Sequence, residues 1–132
     1  MVKSVTVDSS VIISSLLPSE KRHVEAIALW NKVLSGETPA VMPYSILVEV
    51  VAAVRRRTGS QDLALEVLKA LETLDTVSFV ILDGRSSAKA ARIAASTGLR
   101  GMDALVVQVA KEYKAELITF DLEMEQKAAT IL

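Results

Sequence analysis

A chain of 132 residues with 51% hydrophobic and 23% charged side chains, five glycines and three prolines has the size and composition of one compact globular domain, residues 1–132, with no room for long disordered segments. A formal net charge of −1 and a pI near 5.8 exclude a global attraction to nucleic acid, so such a partner would need a local patch or a bound metal. The absence of cysteine removes disulfides, thiolate catalysis and Cys-ligated zinc, and neither a membrane span nor a signal-peptide apolar region is found, the stretch 2–7 being too short, which points to a cytoplasmic protein.

In chain order, residues 2–17 read as a short buried strand feeding a helix. The β-branched run at 3–7 is the strand, it stops on Asp8, and Ser9 or Ser10 begins a helical turn that Pro18 ends. Asp8 therefore stands at the C-terminal edge of the strand, where open α/β sheets bind ligands. From Ser19 a second helix carries Val24, Ile27, Ala28 and Trp30 at helical spacing, Trp30 on its core face, and closes on Gly36. His23, the single histidine, lies among charges and reads as a surface residue, which leaves no conventional Ser-His-Asp arrangement. Residues 38–42 form a second strand confined by Pro39 and Pro43. Ser45 then caps a long helix that ends in Arg55, Arg56 and Arg57 before Gly59, cations that complement the helix dipole.

Ser60 or Asp62 caps a further helix, and residues 77–82 read as a buried third strand. Asp83-Gly84 is a turn into an alanine-rich helix that stops at Gly98. Asp103 opens a helix through Tyr113, with Gly101 just before it. Residues 117–120 make a fourth strand ending on Asp121, 122–129 a short helix and 130–132 a terminal strand. Strands alternating with helices predict a three-layer α/β/α sandwich around a parallel sheet of four or five strands.

Four acids carry the chemical argument. Asp8, Asp103 and Asp121 each precede a helix, and each alone is equally well a cap for free backbone N–H groups, an interaction of about 1 kcal/mol. Glu49 interrupts an otherwise apolar helix, so its carboxylate needs a polar cleft, a metal or an ion pair with one of the three following arginines. Asp8 and Asp121 end two strands at equivalent positions, which a parallel sheet puts on one edge. Asp103 starts the helix leading into the second of those strands, and that helix is expected to begin at the opposite end unless a loop or tilt carries it across. Were the four to meet, oxygen-only ligands favour Mg²⁺ or Mn²⁺, and such a site suits phosphodiester hydrolysis by metal-activated water.

The segments VDSSVII, ILVEVVAAVRRR and GLRGMDALVVQVAKEYKAELITFD, in this order and spacing, resemble the PIN-domain ribonucleases, and most of all the VapC-type toxins of toxin–antitoxin pairs. The resemblance covers essentially the whole chain and implies a metal-dependent endoribonuclease with Asp8, Glu49, Asp103 and Asp121 as the acidic quartet around Mg²⁺ or Mn²⁺. It places Ser10 and Thr119 where hydroxyls orient the acids. It further implies an RNA substrate, an antitoxin protein as partner and a homodimer, for which apolar faces of the helices after Ser45 and Ser60 are available. Arg55, Arg56, Arg57 and Arg100, with Arg85 behind them, are candidate RNA contacts, against a plain reading as solvated helix ends. The segment after Asp121 departs from the family in lacking an aromatic residue. Two rivals remain: a PIN-like module that binds RNA or protein without cleaving, and a receiver-like phosphoacceptor, which lacks here an acidic pair at the first strand and a lysine at the last.

Overall fold

The computed structural model describes residues 3–132; Met1 and Val2, and so the start of the predicted 2–17 segment, lie outside the described residues. The chain runs β1 (Val5–Val7), α1 (Ser9–Leu16), α2 (His23–Leu34), β2 (Ala40–Pro43), α3 (Ser45–Thr58), α4 (Gln61–Glu72), β3 (Val77–Val80), α5 (Gly84–Thr97), α6 (Gly101–Glu112), β4 (Glu116–Ile118) and α7 (Leu122–Ala129). All strand pairings are parallel and the order across the sheet is β3-β2-β1-β4. Residues 130–132 form a turn and add no fifth strand.

Residue type and position explain these elements. β1 is three consecutive buried β-branched residues, the pattern of a central parallel strand covered on both faces. In β2, Ala40 and Met42 join the large core with Ile12, Trp30, Ile46 and Val50, whereas Val41 meets Val109, Ala115 and Val80 on the other face. The two-residue alternation of a strand thus puts helices against both sides of the sheet. β3 departs from the expected buried strand: it is an edge, only Val77 is fully buried, and Ile81 and Leu82 lie beyond it, exposed. An edge strand has a neighbour on one side only, which leaves part of its apolar surface uncovered.

Helix boundaries follow their end groups. Ser60 caps α4 by accepting from the Leu63 N–H at 3.0 Å. Asp83 and Ser86 form a reciprocal capping box at the start of α5. Ser45, expected as a cap, is instead the first helical residue of α3 and its buried Oγ has no partner among the described residues. The apolar face of α2 also differs from the expected one: Val24 is exposed, and Ala26, Trp30 and Val33 are the buried residues. The helix begins only at His23, so the register of its buried stripe is set by Trp30 and runs through i−4 and i+3. His23 is half-buried rather than free at the surface, its Nδ1–H donating to the Ser14 carbonyl at 2.7 Å.

Chain order creates a crevice. From β1 the chain moves outward through β2 to β3, then returns to the other side of β1 for β4. The strand order reverses between β1 and β4, and beyond the C-terminal ends of such a pair the connecting segments part to leave a cleft.

Gly59 ends α3 with φ 70°, its N–H donating to the Arg55 carbonyl. Gly84 opens α5 with open space where a Cβ would sit. Gly59→Ala is expected to destabilise by about 1 kcal/mol, because an L side chain is strained at that φ, while Gly84→Ala is expected to be neutral or to stabilise by up to about 1 kcal/mol. Urea unfolding of the two variants checks the opposite signs.

Candidate active site

The cleft at the β1/β4 switch has a volume of about 900 Å³ and is lined by Asp8, Glu49, Asp103 and Asp121, together with Ser10, Glu20, Arg57 and Arg100. Each acid arrives by a different route. Asp8 follows directly on β1, and its N–H donates to the Ile118 carbonyl of β4 at 2.9 Å. Glu49 sits on α3 at the border of the buried stripe Ile46, Val50, Ala53 and Val54, so it leans off the core into the cleft. Asp121 caps α7 by accepting from the Met124 N–H at 3.1 Å.

Asp103 is the third residue of α6, not its cap, and it faces the same cleft rather than the opposite end of the sheet. The reason is directional. A helix joined by a short turn to the start of a parallel strand must travel back along the sheet, so α6 begins at the C-terminal edge, the edge that carries Asp8.

Asp8 is the most constrained of the four, with 3% of its surface exposed. Its Oδ2 accepts from Ser10 Oγ at 2.8 Å and from Thr119 Oγ1 at 2.9 Å. Each hydroxyl uses its one proton on Asp8 and accepts a backbone N–H in return, Ser10 from Phe120 at 3.1 Å and Thr119 from Asp121 at 3.0 Å. The segment after β4 is thereby tied to the carboxylate after β1. Asp8 Oδ1 is buried and has no hydrogen-bond partner among the described residues, and the same is true of Glu49 Oε1. The other Glu49 oxygen accepts a long bond, 3.5 Å, from Ser9 Oγ.

The electrostatics follow from this crowding. Burial, then the negative charges of Asp8 and Asp103, push the Glu49 carboxyl up to about 7. Burial, then Asp8 and Asp121, raise Asp103 above the ordinary carboxylate range, with Arg100 acting against them. Among the described residues Glu49 forms no ion pair with the arginines that follow it; Arg57 pairs with Glu20 instead.

The donor set fits a hard divalent cation, being all oxygen with two buried, unpartnered carboxylate oxygens. Among the described residues no three His, Asp or Glu side chains are drawn closely enough together to hold an ion in this arrangement. Two carboxylates about 4 Å apart repel by roughly 4 kcal/mol at an effective dielectric near 20, so a closer approach of these acids calls for a cation between them.

Residues 5–129 match the PIN domain family. The chain belongs to the PIN-domain family. Among solved structures, this PIN domain is similar to VapC20 of Mycobacterium tuberculosis, described as a Sarcin-Ricin loop cleaving toxin, with a TM-score of 0.78, 19% identity, and 93% of this chain and 94% of that one covered. It is also similar to a chain of a toxin–antitoxin complex from Klebsiella pneumoniae, with a TM-score of 0.62, 16% identity and coverage of 89% and 87%. At such identities the likeness is one of fold. No curated protein matches the sequence.

Of the expected RNA contacts, Arg57 and Arg100 line the cleft of the PIN domain, while Arg55 and Arg56 are exposed on α3 without lining it. Arg85 lines a separate cavity with Phe79 and Glu112. Sequence reading missed two residues. Ser9 reaches Glu49, a contact foreshadowed only by the tandem hydroxyls after Asp8, and Glu20 lines the cleft from a loop with no sequence signal at all.

Two outcomes are expected. Thr119→Val leaves the Asp121 N–H and half of the Asp8 Oδ2 bonding unmet, a loss of about 1–3 kcal/mol on chemical denaturation; Thr119→Ser retains the hydroxyl and most of the stability. Glu49 has a folded pKa of about 7 against an ordinary 4.5, so between those values the folded chain binds protons that the unfolded chain has lost, and stability falls as pH rises through the window. In buffer free of divalent cations, Glu49→Gln therefore raises the melting temperature by a few degrees near pH 8 and changes it little near pH 5.

Proposed function

We propose that the protein is a Mg²⁺- or Mn²⁺-dependent endoribonuclease, the toxin of a toxin–antitoxin pair, acting in the cytoplasm with residues 1–132 as one domain. The observation that carries this reading is the convergence of Asp8, Glu49, Asp103 and Asp121 on one cleft with Asp8 Oδ1 and Glu49 Oε1 buried and unpartnered. Buried carboxylate oxygens without a hydrogen bond are costly, and a cation is the partner that an acid-only site accepts.

In this reading Asp8, Glu49, Asp103 and Asp121 hold the metal. When bound, Mg²⁺ or Mn²⁺ supplies a Lewis acid that lowers the pKa of a water and neutralises charge on the phosphate. The chain's own residues do the positioning. Ser10 and Thr119 fix Oδ2 of Asp8, which also fixes the orientation of its other oxygen. Arg57 and Arg100 stand among the lining residues, where guanidinium groups can take the non-bridging oxygens of a phosphodiester. The backbone change is hydrolysis: a P–O bond forms from water and the P–O bond to the leaving nucleotide breaks.

The toxin assignment is supported by the two solved relatives, one a Sarcin-Ricin loop cleaving toxin and the other part of a toxin–antitoxin complex. An antitoxin protein, or a second copy in a homodimer, has apolar surface to meet on α3 and α4, where Val48 and Leu65 are 65% and 50% exposed. No described helix is long and apolar enough to cross a membrane.

Purified protein incubated with total cellular RNA is expected to produce discrete fragments with Mg²⁺ or Mn²⁺ and none with EDTA. Asp8→Asn and Asp121→Asn bring cleavage to background. Titration calorimetry with Mn²⁺ is expected to show binding that Glu49→Gln weakens. Cleavage that survives both EDTA and Asp8→Asn would sink the metal-dependent reading, and Mn²⁺ binding without cleavage of any RNA pool would favour a PIN module that has lost activity.

A further inference from the structure

Resting on the reading of the cleft as an RNA-cleaving site, we infer that Glu20 is a built-in stand-in for an RNA phosphate: its carboxylate occupies Arg57 in the free protein, and a phosphodiester of the substrate displaces it. Three independent features lead there. First, Glu20 and Arg57 form an ion pair between the α1–α2 loop and the last turn of α3, 37 positions apart in sequence, and both line the cleft that holds the four acids. Second, of the three successive arginines on α3 only Arg57 lines that cleft, so the one α3 guanidinium at the site is the one engaged by an acid. Third, the pair is open to solvent, with 52% of the Arg57 side chain and 28% of the Glu20 side chain exposed. Pairs of this kind hold little net free energy and exchange partners readily.

Carboxylate and phosphate present the same feature to a guanidinium, two oxygens that accept parallel N–H bonds. Glu20 is also held rather than loosely tethered. Its N–H donates to the Leu17 carbonyl at 3.0 Å and its carbonyl accepts the His23 N–H at 3.1 Å, which fixes the turn between α1 and α2. Arg22, two residues on, forms a bidentate bond to Glu25 and stacks 3.7 Å from the Phe120 ring centre, anchoring the same loop to the segment just before Asp121. The loop therefore keeps the Glu20 carboxylate at the cleft while leaving its charge free to be exchanged. The consequence is competition: any phosphate that takes Arg57 does so against a carboxylate held at the cleft, and a polyanion whose neighbouring phosphates are also bound competes best.

The test is steady-state cleavage of a fluorophore–quencher RNA by the full chain in Mn²⁺ buffer, comparing Glu20→Gln, Arg57→Ala and the double variant. Glu20→Gln is expected to lower KM up to about five-fold, with a smaller change in kcat, because substrate no longer competes with the carboxylate. Arg57→Ala raises KM and reduces the salt slope of binding by about one. In the double variant the gain from Glu20→Gln disappears, since Glu20 acts only through Arg57. A Glu20→Gln enzyme with unchanged KM and a lowered melting temperature would make the pair purely structural and overturn the inference while leaving the ribonuclease reading intact. A fall in kcat with weakened Mn²⁺ binding would overturn it too, by making Glu20 part of the metal site. Absence of cleavage by the unmodified chain removes the ribonuclease reading and this inference with it.

Discussion

The hydrogen bonds around Asp8 are the constraint on which the site depends. A carboxylate with 3% of its surface exposed at the end of the central strand has to be satisfied, and it is satisfied by hydroxyls from two elements far apart in sequence. Because Ser10 and Thr119 each accept a backbone N–H from the β4–α7 connection, the same bonds fix where Asp121 begins its helix. One oxygen of Asp8 is thus locked by the fold, and locking it leaves the other without a partner. Structural rigidity and chemical availability come from one arrangement, the two oxygens of a single side chain having opposite fates.

Glu49 and Asp103 show the other side of that arrangement. Both are raised above the ordinary carboxylate range, burial being the first cause and neighbouring acids the next. The fold holds like charges near one another in a partly dry cleft, which opposes folding of the ionised form. The large core formed from β1, β2, α1 and α3 residues is what tolerates this. Ile12, Ile46 and Val50 are fully buried and lie on the same elements that present or neighbour the acids, so the apolar side of each element offsets its charged side. A cation among the four carboxylates would reverse the sign of their contribution, and folding and ion binding would then be linked.

How far the sequence could be read depended on whether a residue's role was local. Trp30 as core, Gly59 and Gly98 as helix stops and Ser60 as a cap are properties of neighbouring residues, and the structure has them as expected. The placing of Asp8 and Asp121 on one edge needed only parallel strands, which the alternation of elements already implied. Periodicity left the end of the sheet at which Asp103 stands open to a loop or a tilt; the direction of α6, which runs back along the sheet to enter β4, sets it beside Asp8, a matter of topology that periodicity does not contain. Ser45 looked like a cap by residue type, yet Tyr44 already adopts helical dihedrals, so the free N–H groups lie elsewhere. Val24 matched a helical period but sits one residue inside a helix that starts late, on its outer face. Glu20 was beyond reach because its partner is 37 residues away and its loop has no periodic pattern.

Charge also bears on how a chain of net charge −1 would present a site to a polyanion, the substrate class of the proposed function. The cleft holds five carboxylates, Asp8, Glu20, Glu49, Asp103 and Asp121, against two guanidiniums, Arg57 and Arg100, so unaided it repels phosphate. Divalent charge among the four acids would change the sign locally, over a distance set by the roughly 8 Å screening length at physiological salt. The two arginines would then extend the favourable region, Arg100 from the residue before α6 and Arg57 from the last turn of α3. Under the proposed function the four acids would hold the cation and the two arginines would meet the anion. Neither group alone would suffice: the acids would repel a polyanion, and two screened arginines are few to hold one. On the proposed function, affinity for RNA would depend on the bound metal as much as on basic residues, a dependence that net composition does not register.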